Sequence, residues 1–407
     1  MPASRHPPPA VRRRASALVP PDAGALAAKL VSSRAVASLF TRASAALDRG
    51  VVRFMERRIT SHAPRAPRLE PGDARARLAA LAAAYGDGTL GAPSRFFPAP
   101  GRPQVALAPV GDGPLGTHAI DLAWRSDYEP FLPAARELHA RVVENHTAHA
   151  RFWTSGRGRP AIVLLHGWAG GHPWVTARAF AVPYWLRHGY DVAAFVLPYH
   201  GARAPGPSGA LFPNPNPLRT NEAFGQAIFD LRALALELRA RGASAVGVMG
   251  MSLGGYTAAL WASIAGAPSA PGAVAGGASD LGGVDFAVAM IPAVEMARLM
   301  WSLGGTTPAR RAAVRAGIDQ DLLADAFAVH APTTRPARLP RERLAVIAGR
   351  GDRITPPDHA EALARHWGVE VAWFAGGHLA QVGRGEALRA VRRQLGALDL
   401  PGRELRL

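Results

Sequence analysis

The 407-residue chain is predicted to be an α/β protein, with a mostly parallel sheet covered by helices. Three observations carry this prediction. Short runs such as Ala161 to Leu165 and Ala245 to Met249 carry no polar side chain, as strands buried on both faces require. Helical patterns lie between these runs; in Asn221 to Arg241, Phe224, Ile228, Leu231, Leu234 and Leu238 share one face. Several of the runs end in glycine-rich turns, the usual punctuation between strand and helix.

Composition narrows the function classes. Hydrophobic residues make up 48% and charged residues 19%, which excludes an intrinsically disordered chain. There is no cysteine, so disulfides, thiolate zinc sites, cysteine-ligated iron–sulfur clusters and cysteine nucleophiles are excluded. The longest uncharged apolar runs, such as Phe286 to Val294, are far shorter than the roughly 20 residues of a membrane-spanning helix. The formal net charge is +17, yet Lys29 is the only lysine among 47 basic residues. Arginine together with abundant alanine, glycine and proline reads as a compositional bias. No recognition helix, zinc finger or aromatic-basic motif accompanies the charge, so no nucleic-acid partner is expected. The expected location is the cytoplasm.

The elements follow in order. Residues 1–23 read as a disordered basic tail. Arg12 to Arg14 could open a targeting signal, but Ala15 to Pro21 is too short and weakly apolar for a secretory core. Residues 24–130 form an N-terminal helical and extended segment. Within it, Gly24 to Arg58 is helical and either packs on the main domain, lies peripherally on a membrane surface or serves as a mitochondrial-type transit peptide. Asp73 to Tyr85 is a second helix, and 86–117 is loop or extended chain. The main domain spans 131–398. Its predicted strands are Thr147–Thr154, Ala161–Leu165, Asp191–Leu197, Ala245–Met249, Asp285–Val294, Arg343–Ala348 and Val369–Phe374. Predicted helices lie within Val175–Arg187, kinked at Pro183, and at Leu253–Ala265 and His359–His366. A helical cap, 295–338, is inserted before the strand that begins at Arg343.

One motif carries the chemistry. Gly250–Met251–Ser252–Leu253–Gly254 fits G-x-S-x-G, with a strand running into it and a helix running out. That setting presents Ser252 as a nucleophile over a helix N-terminus, which favours negative charge. The glycine-rich turn after Ala161–Leu165, His166–Gly167–Trp168–Ala169–Gly170–Gly171, leaves backbone amides free to stabilise an oxyanion. Leu253 and Trp168 are assigned as donors, with Ala169 in reserve. His166 braces this loop at the pocket edge. Asp352 follows the strand ending at Ala348, and His378 sits in a glycine turn after the last strand, giving the order Ser, Asp, His. Asp358 and His359 are rivals placed inside a helix. His146 and His149 face opposite sides of an extended chain and suit a metal poorly. No metal or cofactor is expected.

With these motifs in order, residues 145–395 resemble an α/β-hydrolase. The resemblance implies a mostly parallel sheet of about eight strands, with catalytic loops at one edge. Leu197–Pro198–Tyr199–His200–Gly201 resembles the family loop that borders the pocket, which places Tyr199 there. Trp124 to Pro130 resembles a segment of an esterase-like, largely uncharacterised branch.

The implied activity is carboxylic-ester hydrolysis on a small-molecule ester through an acyl-enzyme. A serine nucleophile disfavours dehalogenase and epoxide-hydrolase chemistry, which uses a carboxylate. Met296, Met300 and other large apolar side chains of the cap, with Trp168, Trp174 and Phe212, suggest a hydrophobic acyl pocket. The alternatives are a membrane-associated lipid acyl hydrolase or thioesterase, and a non-catalytic binding protein on the same fold. The oligomeric state is not legible.

Overall fold

A computed structural model describes residues 34–62, 71–266 and 281–400, except Arg157, Pro215, Thr306 and Asp399. The basic tail and the start of the first predicted helix lie outside these residues. The strands are β1 Ala106–Asp112, β2 His118–Arg125, β3 Thr147–Thr154, β4 Ala161–Leu165, β5 Asp191–Phe195, β6 Val246–Met251, β7 Phe286–Met290, β8 Leu344–Gly349 and β9 Val371–Phe374. They form one nine-stranded sheet in the order β1-β2-β3-β5-β4-β6-β7-β8-β9. From β5 to β9 the neighbours run parallel; β1, β2, β3 and β5 pair antiparallel. β4, β5, β7 and β8 are buried at every position, because helices cover both faces.

β1 and β2 were absent from the sequence reading, which left 86–117 as loop or extended chain. β1 is an edge strand exposed along its whole length, with Pro109 and Gly111 at a register shift. Such a strand shows no buried stripe to read. The helix predicted within 175–187 is two: α4 Pro173–Ala179 and α5 Val182–Arg187. They part at Ala181, which is left-handed with φ 53°.

The described residues before β1 are built into the body of the protein. The first helix, α1, spans Arg34–His62 and buries Ser44, Ala45 and Asp48. Helix α2, Pro71–Gly86, packs on the cap. The segment after β2, which leads into helix α3, Pro133–Ala140, is held by helix α6, Pro217–Ala240. Tyr85 and Tyr128 hydroxyls donate to Glu222 at 2.7 and 2.6 Å, as do the Phe131 and Leu132 amides at 2.9 and 3.1 Å. Ser126 donates to Asp230 at 2.6 Å, and Asp230 pairs with the fully buried Arg203 at 2.7 Å. These bonds account for Ser126 and Tyr128 of the Trp124–Pro130 segment. No helix among the described residues is long and apolar enough to cross a membrane.

Candidate active site

Parallel strands bring their carboxyl ends to one edge, and the predicted site residues sit on loops there. β6 turns directly into helix α7, Leu253–Ile264, and Ser252 is the hinge with φ 59° and ψ −116°. A serine in this region is strained, and the packing around it fixes the corner. A Cβ on Gly250 would come within 1.9 Å of Gly254 O, and one on Gly254 within 2.0 Å of Leu165 O. Both glycines are therefore required by contact. Leu253 N–H opens the helix without an intrahelical acceptor.

The turn after β4 closes through Gly170 N donating to Gly167 O at 3.1 Å. Ala169 takes φ 61°, and a Cβ on Gly167 would sit 3.4 Å from Ser252 Cβ. The Gly167 backbone therefore passes directly beside the serine, and Trp168 is the next residue in the turn. The Trp168 indole donates to Gly209 O at 2.8 Å and stays 46% exposed at the rim of the cavity.

Asp352 is almost fully buried. Its Oδ1 accepts from the amides of Ile354 at 2.9 Å and Thr355 at 2.8 Å. Its Oδ2 lies 2.8 Å from His378 Nδ1 and 3.0 Å from Thr355 Oγ1. A proton on Nδ1 leaves His378 Nε2 as the acceptor nitrogen. The base loop reaches the elbow through Gln381, whose Nε2 donates to the Met251 thioether Sδ at 3.3 Å and to His378 O at 3.0 Å. Among the described residues, Ser252 Oγ makes no hydrogen bond to His378.

A cavity of about 650 Å³ opens over Ser252 and Leu253. Cap helix α8, Met296–Leu303, supplies Met296 and Met300 to its wall, as read from the sequence. The remaining cap helices are α9 Pro308–Arg315 and α10 Gln320–Phe327. Helix α2 adds Leu78 and Leu81 to the lining. That contribution was missed, because α2 lies some 170 residues before the serine and its sequence reads only as a short helix.

His166 and Tyr199 do not line this cavity. His166 is buried, with Nδ1 2.8 Å from Gly167 O and Nε2 accepting from Leu197 N at 3.1 Å. It braces the turn from behind, and burial holds it neutral, its pKa lowered to about 3. Tyr199 is buried at φ 59° beneath Arg219. Trp174 faces solvent at 66% exposure, and Phe212 packs on Phe224 in the core. The rivals are also accounted for. Asp358 pairs with Arg298, and His359 Nδ1 accepts from Glu295 N at 3.1 Å, holding the cap's first residue. No group of metal-ligating side chains occurs among the described residues.

The fold and the strand–turn–helix corner place the protein among hydrolase-type α/β folds. The sequence profile of the Alpha/beta hydrolase family matches residues 162–391, and the chain belongs to that family. An uncharacterized protein of Mycobacterium tuberculosis strain CDC 1551 is 27% identical over 331 residues, 78% of this chain and 74% of that protein. Its counterpart in strain H37Rv is 27% identical over 322 residues, 76% and 72% of the two chains. Among solved structures, acetyl xylan esterase 1 from Thermoanaerobacterium is similar with a TM-score of 0.46 and 16% identity, over 72% of this chain and 88% of that one. An esterase of Pyrococcus furiosus is similar with a TM-score of 0.41 and 16% identity, over 72% and 92%.

Proposed function

We propose that the protein is a serine hydrolase that cleaves carboxylic esters with a hydrophobic acyl group. The supporting observation is the strained Ser252 at the floor of an apolar cavity, on the same edge as the Asp352–His378 pair. Ser252 Oγ attacks the ester carbonyl, and its proton passes to His378 Nε2. The Leu253 and Trp168 amides hold the oxyanion. Asp352 fixes the imidazole tautomer and stabilises its charged form. The ester C–O bond breaks, and the alcohol leaves with the proton from His378. Water, deprotonated by His378, then attacks the acyl-enzyme and releases the acid and the free serine. The serine–histidine bond forms in the substrate complex, since such bonds tighten on binding.

The test is labelling of the purified full chain by a fluorophosphonate probe, alongside turnover of p-nitrophenyl esters. Wild type should label and turn over, and Ser252→Ala should do neither while staying folded. Near-normal turnover by Ser252→Ala would sink the assignment. A folded wild type that neither labels nor turns over would favour a non-catalytic ligand-binding role for the cavity.

A further inference from the structure

Helix α1 lies outside the family match, yet it touches both loops that carry the acid and the base. Its residue Asp48 is completely buried, although the helix around it is basic and amphipathic. Asp48 Oδ2 accepts from the Arg353 amide at 3.1 Å and from the His378 amide at 2.8 Å. Its Oδ1 accepts from the Leu379 amide at 3.2 Å. One carboxylate thus joins the residue after Asp352 to His378 itself. The neighbouring residues repeat the pattern. Thr41 Oγ1 donates to Ala375 O at 2.7 Å, and Ser44 Oγ donates to Ala380 O at 3.3 Å.

The two loops are shaped to admit this helix. A Cβ on Gly351 would lie 2.6 Å from Thr41 O. A Cβ on Gly377 would lie 2.6 Å from Asp48 Oδ2 and 3.1 Å from Ser44 Cβ. The glycines flanking the acid and the base are therefore contact points for α1. A buried carboxylate is costly unless its oxygens are satisfied, and here backbone amides of the catalytic loops satisfy them.

We propose that Asp48 is a positioning residue that holds the Asp352 and His378 loops in register, and that α1 is a working part of the hydrolase site. The proposal rests on reading Ser252, His378 and Asp352 as a triad. Asp48 touches no substrate; it acts by fixing the separation of the two loops. Loosening them misaligns the imidazole with both the serine and the acid, where an error of about 1 Å costs on the order of 100-fold in rate. The cavity wall comes mostly from the cap, α2 and the β4 turn, with Ile354 and Thr355 added by the acid loop, so substrate binding should change much less than kcat.

The experiment compares the wild type, Ser252→Ala, Asp48→Ala and Asp48→Asn as full chains. Active sites are counted by fluorophosphonate titration run to completion, and kcat per titrated site and KM are measured on a p-nitrophenyl ester. Asp48→Ala should lower kcat per titrated site at least ten-fold and leave KM within two-fold. Asp48→Asn, which keeps one acceptor oxygen, should recover part of that loss. A purely structural role would lower the number of titrated sites and leave kcat per site unchanged. Wild-type kcat per site in both Asp48 variants overturns the proposal. If Asp48→Ala does not fold, Asp48→Asn decides by the same criterion; if neither folds, Asp48 serves stability alone and the proposal fails. Turnover by Ser252→Ala would overturn the triad itself, whatever the Asp48 variants do.

Discussion

Asp352 Oδ2 stands 2.8 Å from His378 Nδ1, across 26 residues of chain and two neighbouring parallel strands. The pair is held from the acid side, where two amides and the Thr355 hydroxyl orient the carboxylate before any substrate arrives. Asp352→Asn should preserve the fold and reverse the hydrogen-bonding sense toward Nδ1. The imidazole would then favour the wrong tautomer, with Nε2 protonated and unable to accept from Ser252. A fall in kcat on the order of 10⁴-fold is expected. Steady-state kinetics with p-nitrophenyl acetate would check it, and a fall under ten-fold would remove Asp352 from the role.

Acyl-chain preference should follow the cavity wall. Each methylene buried there contributes about 0.8 kcal/mol, or roughly four-fold in kcat/KM, until the space is filled. Met300 sits on the cap side of the wall, half-buried against the core. Met300→Trp should leave acetyl-ester hydrolysis within about two-fold and lower octanoyl-ester hydrolysis at least ten-fold. A chain-length series of p-nitrophenyl esters measures both. Equal loss at every length would mean that Met300 supports the cap and does not meet the acyl chain.

The parts of the site that were legible are those where local sterics dictate residue type. Gly250 and Gly254 are set by clashes under 2.1 Å, so the motif is written in the sequence. Asp352 and His378 follow strand ends, and strand ends are visible as the stop of an apolar run. Asp48 was not legible, because an acid in a basic amphipathic helix looks like a solvated face. Only the fold shows that this face meets the amides of Arg353, His378 and Leu379. β2 was also missed, although its pairing with β3 carries the sheet outward. Its alternation is interrupted at the half-buried pair Ile120 and Asp121, and Asp121 is matched by Arg151 across the ladder at 2.7 Å. Tyr199 was placed in the pocket by resemblance alone; its backbone instead donates to Asn145 in the buried polar network.

Stability should fall on acidification from near-neutral pH. Burial, first of all, lowers His166 and His330 to about 3 and His200 and His359 to about 4, from an ordinary 6.5. Each is neutral in the folded protein across the range in which the unfolded chain binds its proton. The unfolded state therefore gains protons as pH drops below 6.5, and stability declines until the folded-state values near 4 to 3 are reached. Above 6.5 the same groups contribute no pH dependence. Urea unfolding midpoints at pH 7.5, 6.0, 5.0 and 4.5 should decrease in that order, and His359→Gln should flatten the slope. A midpoint independent of pH between 7.5 and 4.5 would contradict the buried neutral state.

Glu222 should matter for stability without touching the chemistry. Its two oxygens accept four hydrogen bonds, two from phenols and two from backbone amides, and together these tie residues 85–132 to α6. Burial and the adjacent carboxylate both raise the Tyr85 and Tyr128 pKa values, so each phenol stays a donor at any working pH. Glu222→Gln replaces one acceptor oxygen with an amide donor. A tyrosine hydroxyl can rotate to accept from it, but the Phe131 or Leu132 N–H cannot and is left unsatisfied. A buried donor stranded in this way costs about 1–3 kcal/mol. Glu222→Ala strands all four donors and opens a cavity, so its loss should be clearly larger. Chemical denaturation would give both values, and kcat per titrated active site should stay within two-fold of wild type wherever the variants are folded. A large drop in kcat per site at full folding would mean that the 85–132 segment reaches the active site, and not only the body of the sheet.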